Sequence, residues 1–407
     1  MAQVPQKKDI KINNLRKVFR LIQKKGPIER KEIQELSNLS WGAVSQFTSA
    51  LVHSDIITQN INSVGNVGKA PLTLDINNQD NYIVGVDFNF IAIRVVVLDL
   101  KGNMVKSRVA AVTDSSRVIE LLLDTLDKTL SEFIGVKNLL AISISTQGNI
   151  DEKKGVALYL TFVPTWRNLN LKEVVEGRFH IPTFVFHDPD CILIAEKYFG
   201  NIFREDFKNV VTLNMNYGIG MSLMINNKIY SSTSKRSGEL GHTTVIPGGA
   251  LCSCGKQGCL EAYASKVGIL NRFVEAINNK EASSVNIDDA ITYEIIKEYA
   301  QKGDPLCVRL FSEAGNILGL ALSSLVSIFD PDAIILFGEF ANGNDIELFK
   351  DNLEETFQKN LYPGSNTKLL YSNLGGSAAA FGAAFFALDK ILNDFLMEKT
   401  EKAAEEN

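Results

Sequence analysis

Apolar residues in the first part of the chain recur at helical spacing. Leu15, Val18, Phe19, Leu21 and Ile22 share one face, and Gly26-Pro27 stops the helix they predict. A second helix, over about residues 30–37, turns Ile33 and Leu36 inward. Asn38-Leu39-Ser40 makes a short turn, and Ser40 carries the hydroxyl of an N-cap. The third helix, about residues 41–54, sets Val44, Phe47 and Leu51 on one face and Ser45, Gln46, Thr48 and Ser49 on the other. Beyond it, Ile56-Ile57-Thr58 and Leu72-Thr73-Leu74-Asp75 flank a Gly-rich stretch at 63–71, which reads as strand, tip, strand. Two helices on a tight turn, the second polar on its exposed side, and then a hairpin predict a winged helix-turn-helix over residues 1–75. Residues 76–81 are largely polar and predict a linker.

From residue 82 the pattern changes to short apolar runs. Strands are predicted at 82–87 and 93–98, with a third running through Ala110, then a helix at 116–133 and a buried strand at 140–145. The order recurs at 210–214, 219–226 and 228–230, followed by a long apolar helix at 314–329 and a strand at 333–337. The expectation is an α/β chain: the winged helix-turn-helix, then a two-lobed actin-like (ribonuclease-H-like) body with a ligand cleft between its lobes. Residues 82–200 make the first lobe, joined by a C-terminal helix at 387–407, and residues 201–386 the second, with the dimerisation surface.

The densest chemistry lies between Ser237 and Glu261. Cys252, Cys254 and Cys259 form Cys-x-Cys-x4-Cys with glycines at 255 and 258, His242 precedes them, and Glu239 and Glu261 bracket the segment. Soft thiolates and one imidazole on Gly-rich turns are the donor set of a closed, structural zinc site, with small buried cysteines as the alternative. Cys191 and Cys307 read as core. The N-terminus has no apolar segment of a secretory signal, and no uninterrupted apolar run approaches the roughly 20 residues that span a bilayer. The expectation is a cytoplasmic protein with reduced thiols and no membrane partner.

Charge adds one asymmetry. Residues 1–80 hold 11 Lys/Arg against 7 Asp/Glu, while the whole chain is at −5. A basic first unit on an acidic body points to nucleic acid at the first unit only. Ser40, Ser45, Gln46 and Thr48 on the third helix are the candidates for base or phosphate contact, with Arg30, Lys31 and Lys69 (and Lys24 and Lys25) for phosphates. A three-helix oligomerisation or peptide-binding module is the alternative.

With Glu239-x-Gly241-His242 and Cys252-x-Cys254-Gly-x-x-Gly-Cys259-x-Glu261, the chain resembles the ROK family over nearly its whole length. That family unites bacterial sugar kinases with sugar-responsive repressors, and an N-terminal winged helix marks the repressor branch. The resemblance implies a sugar pocket of His187, Asp188, Glu239, His242 and Glu261, and a Zn2+ held by His242, Cys252, Cys254 and Cys259. Asp188 stands where the kinases have their catalytic base, although it reads equally as an N-cap ahead of a helix at 192–199. His187 replaces the family's asparagine.

Kinases of the family carry Asp-x-Gly-Gly-Thr as a phosphate loop. This chain has Asp87-Phe88-Asn89-Phe90-Ile91, then Asn216-Tyr217-Gly218 for Gly-Thr-Gly, and Gly338-Glu339-Phe340 for a glycine run. Backbone N–H groups can approach phosphates only where glycines leave room. The resemblance therefore implies a sugar-responsive repressor that is not an enzyme, with Asp188 a vestigial base. Its partners would be operator DNA, a sugar or sugar-phosphate effector, and further copies in a homodimer or homotetramer. The alternatives are an ATP-dependent hexose or amino-sugar kinase with a divergent phosphate loop, and a repressor whose body only dimerises.

Overall fold

The computed structural model describes residues 7–61, 72–135, 137–160, 163–232, 237–286, 290–338, 340 and 347–405. The N-terminal unit comprises α1 (Lys7–Lys25), β1 (Ile28–Glu29), α2 (Arg30–Ser37), α3 (Trp41–His53), β2 (Ile57–Ile61) and β3 (Leu72–Ile76). Its strands form an antiparallel sheet in the order β1-β3-β2. Asn38 takes a left-handed conformation to end α2, and the Ser40 hydroxyl accepts from Ala43 N at 3.3 Å to start α3. Leu15, Val18, Phe19, Ile22, Ile33, Val44, Phe47 and Leu51 are buried at the centre. Leu36 is not: it is 45% exposed, and Ser37 takes the inner position instead. A residue four places after Ile33 lies nearer its helical face than one three places after, so α2 turns Ile33 and Ser37 inward.

The expected linker at 76–81 is not a free tether. Ile76 completes β3, Asn81 begins the next strand, and Asn77 is bonded through its N to Ile56 O at 3.0 Å and through its amide to Asp55 O at 2.9 Å.

The first lobe contains β4 (Asn81–Phe88), β5 (Ala92–Asp99), β6 (Met104–Ala111), α4 (Val118–Leu130), β7 (Asn138–Thr146), β8 (Asn149–Asp151), β9 (Val156–Leu160), β10 (Val163–Asn170), α5 (Leu171–Phe179), β11 (Thr183–His187) and α6 (Asp188–Phe199). Its main sheet has the order β11-β7-β4-β5-β6, and β8–β10 form a small antiparallel sheet beside it. The second lobe contains β12 (Val210–Met215), β13 (Ile219–Ile225), β14 (Lys228–Ile229), α7 (Glu261–Ala264), α8 (Lys266–Asn278), α9 (Tyr293–Gln301), α10 (Pro305–Phe329), β15 (Ala333–Gly338), α11 (Glu347–Asn360) and β16 (Lys368–Tyr371), with its sheet ordered β14-β13-β12-β15-β16. Both five-stranded sheets follow one topology: the first strand is central, two antiparallel strands extend one side and two parallel strands the other. The body is thus a mixed α/β, actin-like pair of lobes.

The last helix, α12 (Ala378–Glu405), starts nine residues before the expected 387, and residues 378–386 pack on the first lobe, against β4 and α6. Glycine permits this approach: a β-carbon on Gly85 of β4 would lie 1.9 Å from Ala380 O, and one on Gly382 would lie 1.7 Å from Cys191 O. α12 also receives the N-terminal unit. Asp389 accepts from Arg16 Nη2 at 2.8 Å, from Arg20 and from the Tyr198 hydroxyl at 3.3 Å. One apolar cluster runs from Val18 and Ile22 through Leu98 and Leu100 to Leu388, Leu392 and Leu396.

One described helix, α10, is long and apolar enough to cross a membrane by composition alone. Here Leu310, Phe311, Leu318 and Leu322 of this helix are buried in the second lobe's core, and α10 packs along α11.

Candidate functional site

The cleft lies at the end of β11 of one lobe and at β12 and β13 of the other. His187, Asp188, Glu239, His242 and Glu261 line a single cavity of about 680 Å³ there. β11 delivers His187, which serves as the N-cap position of α6 without a side-chain cap bond, so Asp188 is the first helical residue and not the cap. The Asp188 carboxyl instead accepts from Asn214 Nδ2, on β12 across the cleft, at 2.6 Å. Burial raises Asp188 to about 8, and it lowers the neighbouring His187 to about 4. Near neutral pH the first is a protonated carboxyl that can donate a hydrogen bond, and the second a neutral imidazole.

Glu261 opens α7 and is buried. One carboxylate oxygen accepts from Ile219 N at 3.0 Å, the other from Ser253 Oγ at 3.1 Å. Glu239 is more exposed, and burial of its inner part raises its carboxyl. His242 joins two neighbourhoods: Nδ1 lies 3.6 Å from Cys252 Sγ, and Nε2 lies 3.9 Å from Glu239 Oε2.

The donor atoms of His242, Cys252, Cys254 and Cys259 all fall within 4.8 Å of one another. Cys254 Sγ and Cys259 Sγ are 3.7 Å apart, far beyond a disulfide bond and close to the ~3.7 Å edge of a tetrahedron with metal–sulfur bonds of ~2.3 Å. Gly258 makes the turn at φ 78°, where a β-carbon would strike Ile246 O at 1.7 Å. The residues present therefore fit a four-coordinate metal ion. Cys191 and Cys307 are buried elsewhere, in the core as expected.

Side chains bond back onto the segment that the resemblance sets in the place of a phosphate loop, at the wall of a cavity of about 430 Å³. Asp87 accepts from Asn89 Nδ2 at 2.9 Å and from Arg94 Nη1 at 3.1 Å, and burial raises it to about 6. Asn89 Oδ1 accepts from the N–H groups of Ile91 and Ala92, both at 3.0 Å, so two amides that could face a phosphate are turned inward. Phe90 meets Tyr217 of the other lobe edge-on, with centroids 4.9 Å apart. Glu339, expected beside this site, lies outside the described residues.

On the N-terminal unit, Gln46, Ser40 and Lys31 are exposed and Ser45 is half-buried. Thr48 is a correction. It is fully buried, its hydroxyl donates to Val44 O at 2.8 Å and accepts from Arg30 Nε at 2.8 Å, so it supports Arg30 and does not reach a ligand. Arg30 also reaches Gln59 Oε1 at 3.2 Å. Lys69 lies outside the described residues.

Sequence reasoning missed Asn214, Ser253 and Arg94 as site residues. A polar residue at the C-terminal end of an apolar strand was the available signal for Asn214; Ser253, inside the cysteine motif, was hidden by it.

A profile of the ROK family matches residues 83–390 of the chain. The xylose repressor of Bacillus spizizenii is 26% identical over 391 residues, covering 94% of this chain and 97% of its own length. A solved ROK family transcriptional regulator, a homolog of the Escherichia coli MLC protein, shares the fold with a TM-score of 0.79 at 23% identity, covering 96% of this chain and 99% of its own. A ROK family glucokinase from Streptomyces griseus, solved with glucose and AMPPNP, aligns with a TM-score of 0.62 at 27% identity, covering 75% of this chain and 98% of its own.

Proposed function

This chain belongs to the ROK family, and we propose that it is a sugar-responsive, DNA-binding transcriptional repressor whose body senses its effector without phosphorylating it. The observation that carries this is a contrast within one cleft: the acidic and imidazole side chains meet at one cavity, while at the position of the phosphate loop Asn89 takes up the Ile91 and Ala92 amides, Arg94 pairs with Asp87 and Phe90 packs on Tyr217. Coverage points the same way. The xylose repressor and the MLC-like regulator span more than nine-tenths of this chain, N-terminal unit included, and the glucokinase spans 75%.

The N-terminal unit is read as a winged helix-turn-helix, with α3 entering the major groove. Gln46 reads a base, Ser40 and Ser45 bond bases or phosphates, and Arg30 and Lys31 hold the backbone. Sugar hydroxyls donate to Glu239 and Glu261; the Asp188 carboxyl donates to a hydroxyl oxygen, and the His187 and His242 rings orient the sugar. His242, Cys252, Cys254 and Cys259 would hold Zn2+, which supplies no open coordination position and fixes the loop. Ser253 then ties that loop to Glu261, and Glu261 to the backbone of β13. The chain acts as a homodimer or homotetramer, so that two α3 helices meet a palindromic site. The exposed Leu320, Ile328 and Phe329 along α10 support second-lobe assembly.

Fluorescence anisotropy of the full-length chain on its own promoter, with a panel of sugars, tests the proposal. Binding released or strengthened by one sugar is expected; no binding to any promoter fragment would sink it. The kinase alternative predicts sugar-dependent ATP turnover that Asp188→Asn abolishes.

A further inference from the structure

The sugar cavity, of about 680 Å³, extends beyond the five residues assigned to a single ring to the small sheet of the first lobe, where Asn149, Tyr159 and Arg167 also line it. We propose that these three residues form a platform for a second pyranose ring, so that the effector is a disaccharide or larger glycoside and not a monosaccharide. The proposal rests on the sugar-sensing reading of this cavity and names its ligand class.

Register is the first argument. Asn149 on β8 pairs with Tyr159 on β9, and Arg167 on β10 pairs with the same Tyr159. Directly opposed residues of antiparallel strands share a face, with β-carbons about 4.5–5.5 Å apart. The three side chains therefore leave the sheet on one side, with the phenol in the middle, an amide on one flank and a guanidinium on the other. The turn before β8 packs against this row: a β-carbon on Gly148 would lie 2.4 Å from Tyr159 O.

Chemistry is the second. Tyr159 is 50% exposed, although an aromatic ring gains from covering an apolar surface. A pyranose offers such a surface where its C–H groups project, and its hydroxyls surround it. A phenol ring suits the first, and an amide and a guanidinium fork suit the second. Among the described residues, no hydrogen bond or ion pair engages the side chains of Asn149, Tyr159 or Arg167. Gln147, on the same cavity wall, has a buried Oε1 with no hydrogen-bond partner among the described residues. A sugar hydroxyl would satisfy it, as buried acceptors generally require.

Charge is the third. The lysine and arginine on the wall, Lys256 and Arg167, are matched by the carboxylates of Glu239 and Glu261, and burial holds Asp188 protonated near neutral pH. Two side chains of each sign suit a ligand that is uncharged and rich in hydroxyls.

The test is calorimetry on the full-length chain with monosaccharides, each beside its own disaccharides: glucose with cellobiose and maltose, xylose with xylobiose, N-acetylglucosamine with chitobiose. We expect one disaccharide to bind about tenfold or more tightly than its component monosaccharide, the range of one well-seated aromatic contact. Tyr159→Ala should remove most of that advantage, and Tyr159→Phe, which keeps the ring, should retain it. Arg167→Gln should reduce it about threefold or more, and gives an independent reading if Tyr159→Ala proves unstable. Monosaccharides that bind as tightly as every disaccharide built from them, or an advantage that survives both Tyr159→Ala and Arg167→Gln, overturn the platform and leave sugar sensing intact. Binding of no sugar of either length overturns sugar sensing and the platform with it.

Discussion

Asp188 and His187 are adjacent in the chain, and burial moves their pKa values in opposite directions. The folded-state pKa of Asp188 is raised to about 8, so its stabilising contribution is complete below the unfolded value of about 3.9 and is lost as pH rises through 8. Asp188→Asn should therefore gain stability relative to the parent as pH rises from 5 to 8.5, by on the order of a few kcal/mol in urea denaturation. His187, lowered to about 4, contributes stability that is present above about 6.5 and lost as pH falls through 4. At the cysteine loop, Cys254→Ala should lower bound zinc, measured by elemental analysis, and weaken sugar and DNA responses together; intact responses would break the proposed coupling. The donor set of this loop was legible because its members lie within eighteen residues, where spacing constrains geometry. Thr48 was misread. Its hydroxyl suggested a polar role, but it lies four places after Val44 and three before Leu51, so helical period sets it on their buried face, where Arg30 meets it.

At the scale of elements, α12 does the most joining. It packs on α6, β4, β7 and α1, and Asp389 gathers Arg16, Arg20 and Tyr198. Asp389→Ala should cost about 2 kcal/mol, the range of hydrogen bonds to a charged group. It should also speed hydrogen exchange in α1 more than in α10. Equal protection of α1 in both proteins would show that the apolar cluster alone holds the N-terminal unit. Gly85→Ala should destabilise by about 1–3 kcal/mol, because its methyl group would meet the Ala380 carbonyl. Helix periods placed α1 to α3 well, since each buries one face. The start of α12 was misplaced because residues 378–386 are apolar on several sides and carry no period to read.

Over the whole molecule, two lobes of one topology enclose the cleft, and the N-terminal unit docks on the first. Sugar binding that closes the lobes should reduce the radius of gyration in small-angle scattering, and a homodimer on DNA should protect two half-sites about 34–36 Å apart, or multiples of that distance, in footprinting. Ile328→Glu should shift sedimentation toward monomer and weaken DNA binding with it.

The sequence by itself determined the repeated lobe, the metal-fitting loop and the loss of phosphate-loop glycines. The two loops depend on chain chemistry over a few dozen residues at most and the lobe on a succession of short apolar runs, so period and spacing act directly. Tertiary structure alone decided that Asn214 meets Asp188, that Arg94 and Lys266 line one cavity, and that Asp389 holds Arg16 from 373 positions away. Those meetings follow from how rigid elements dock, and docking is set by the fit of whole faces rather than by any residue's neighbours in the chain.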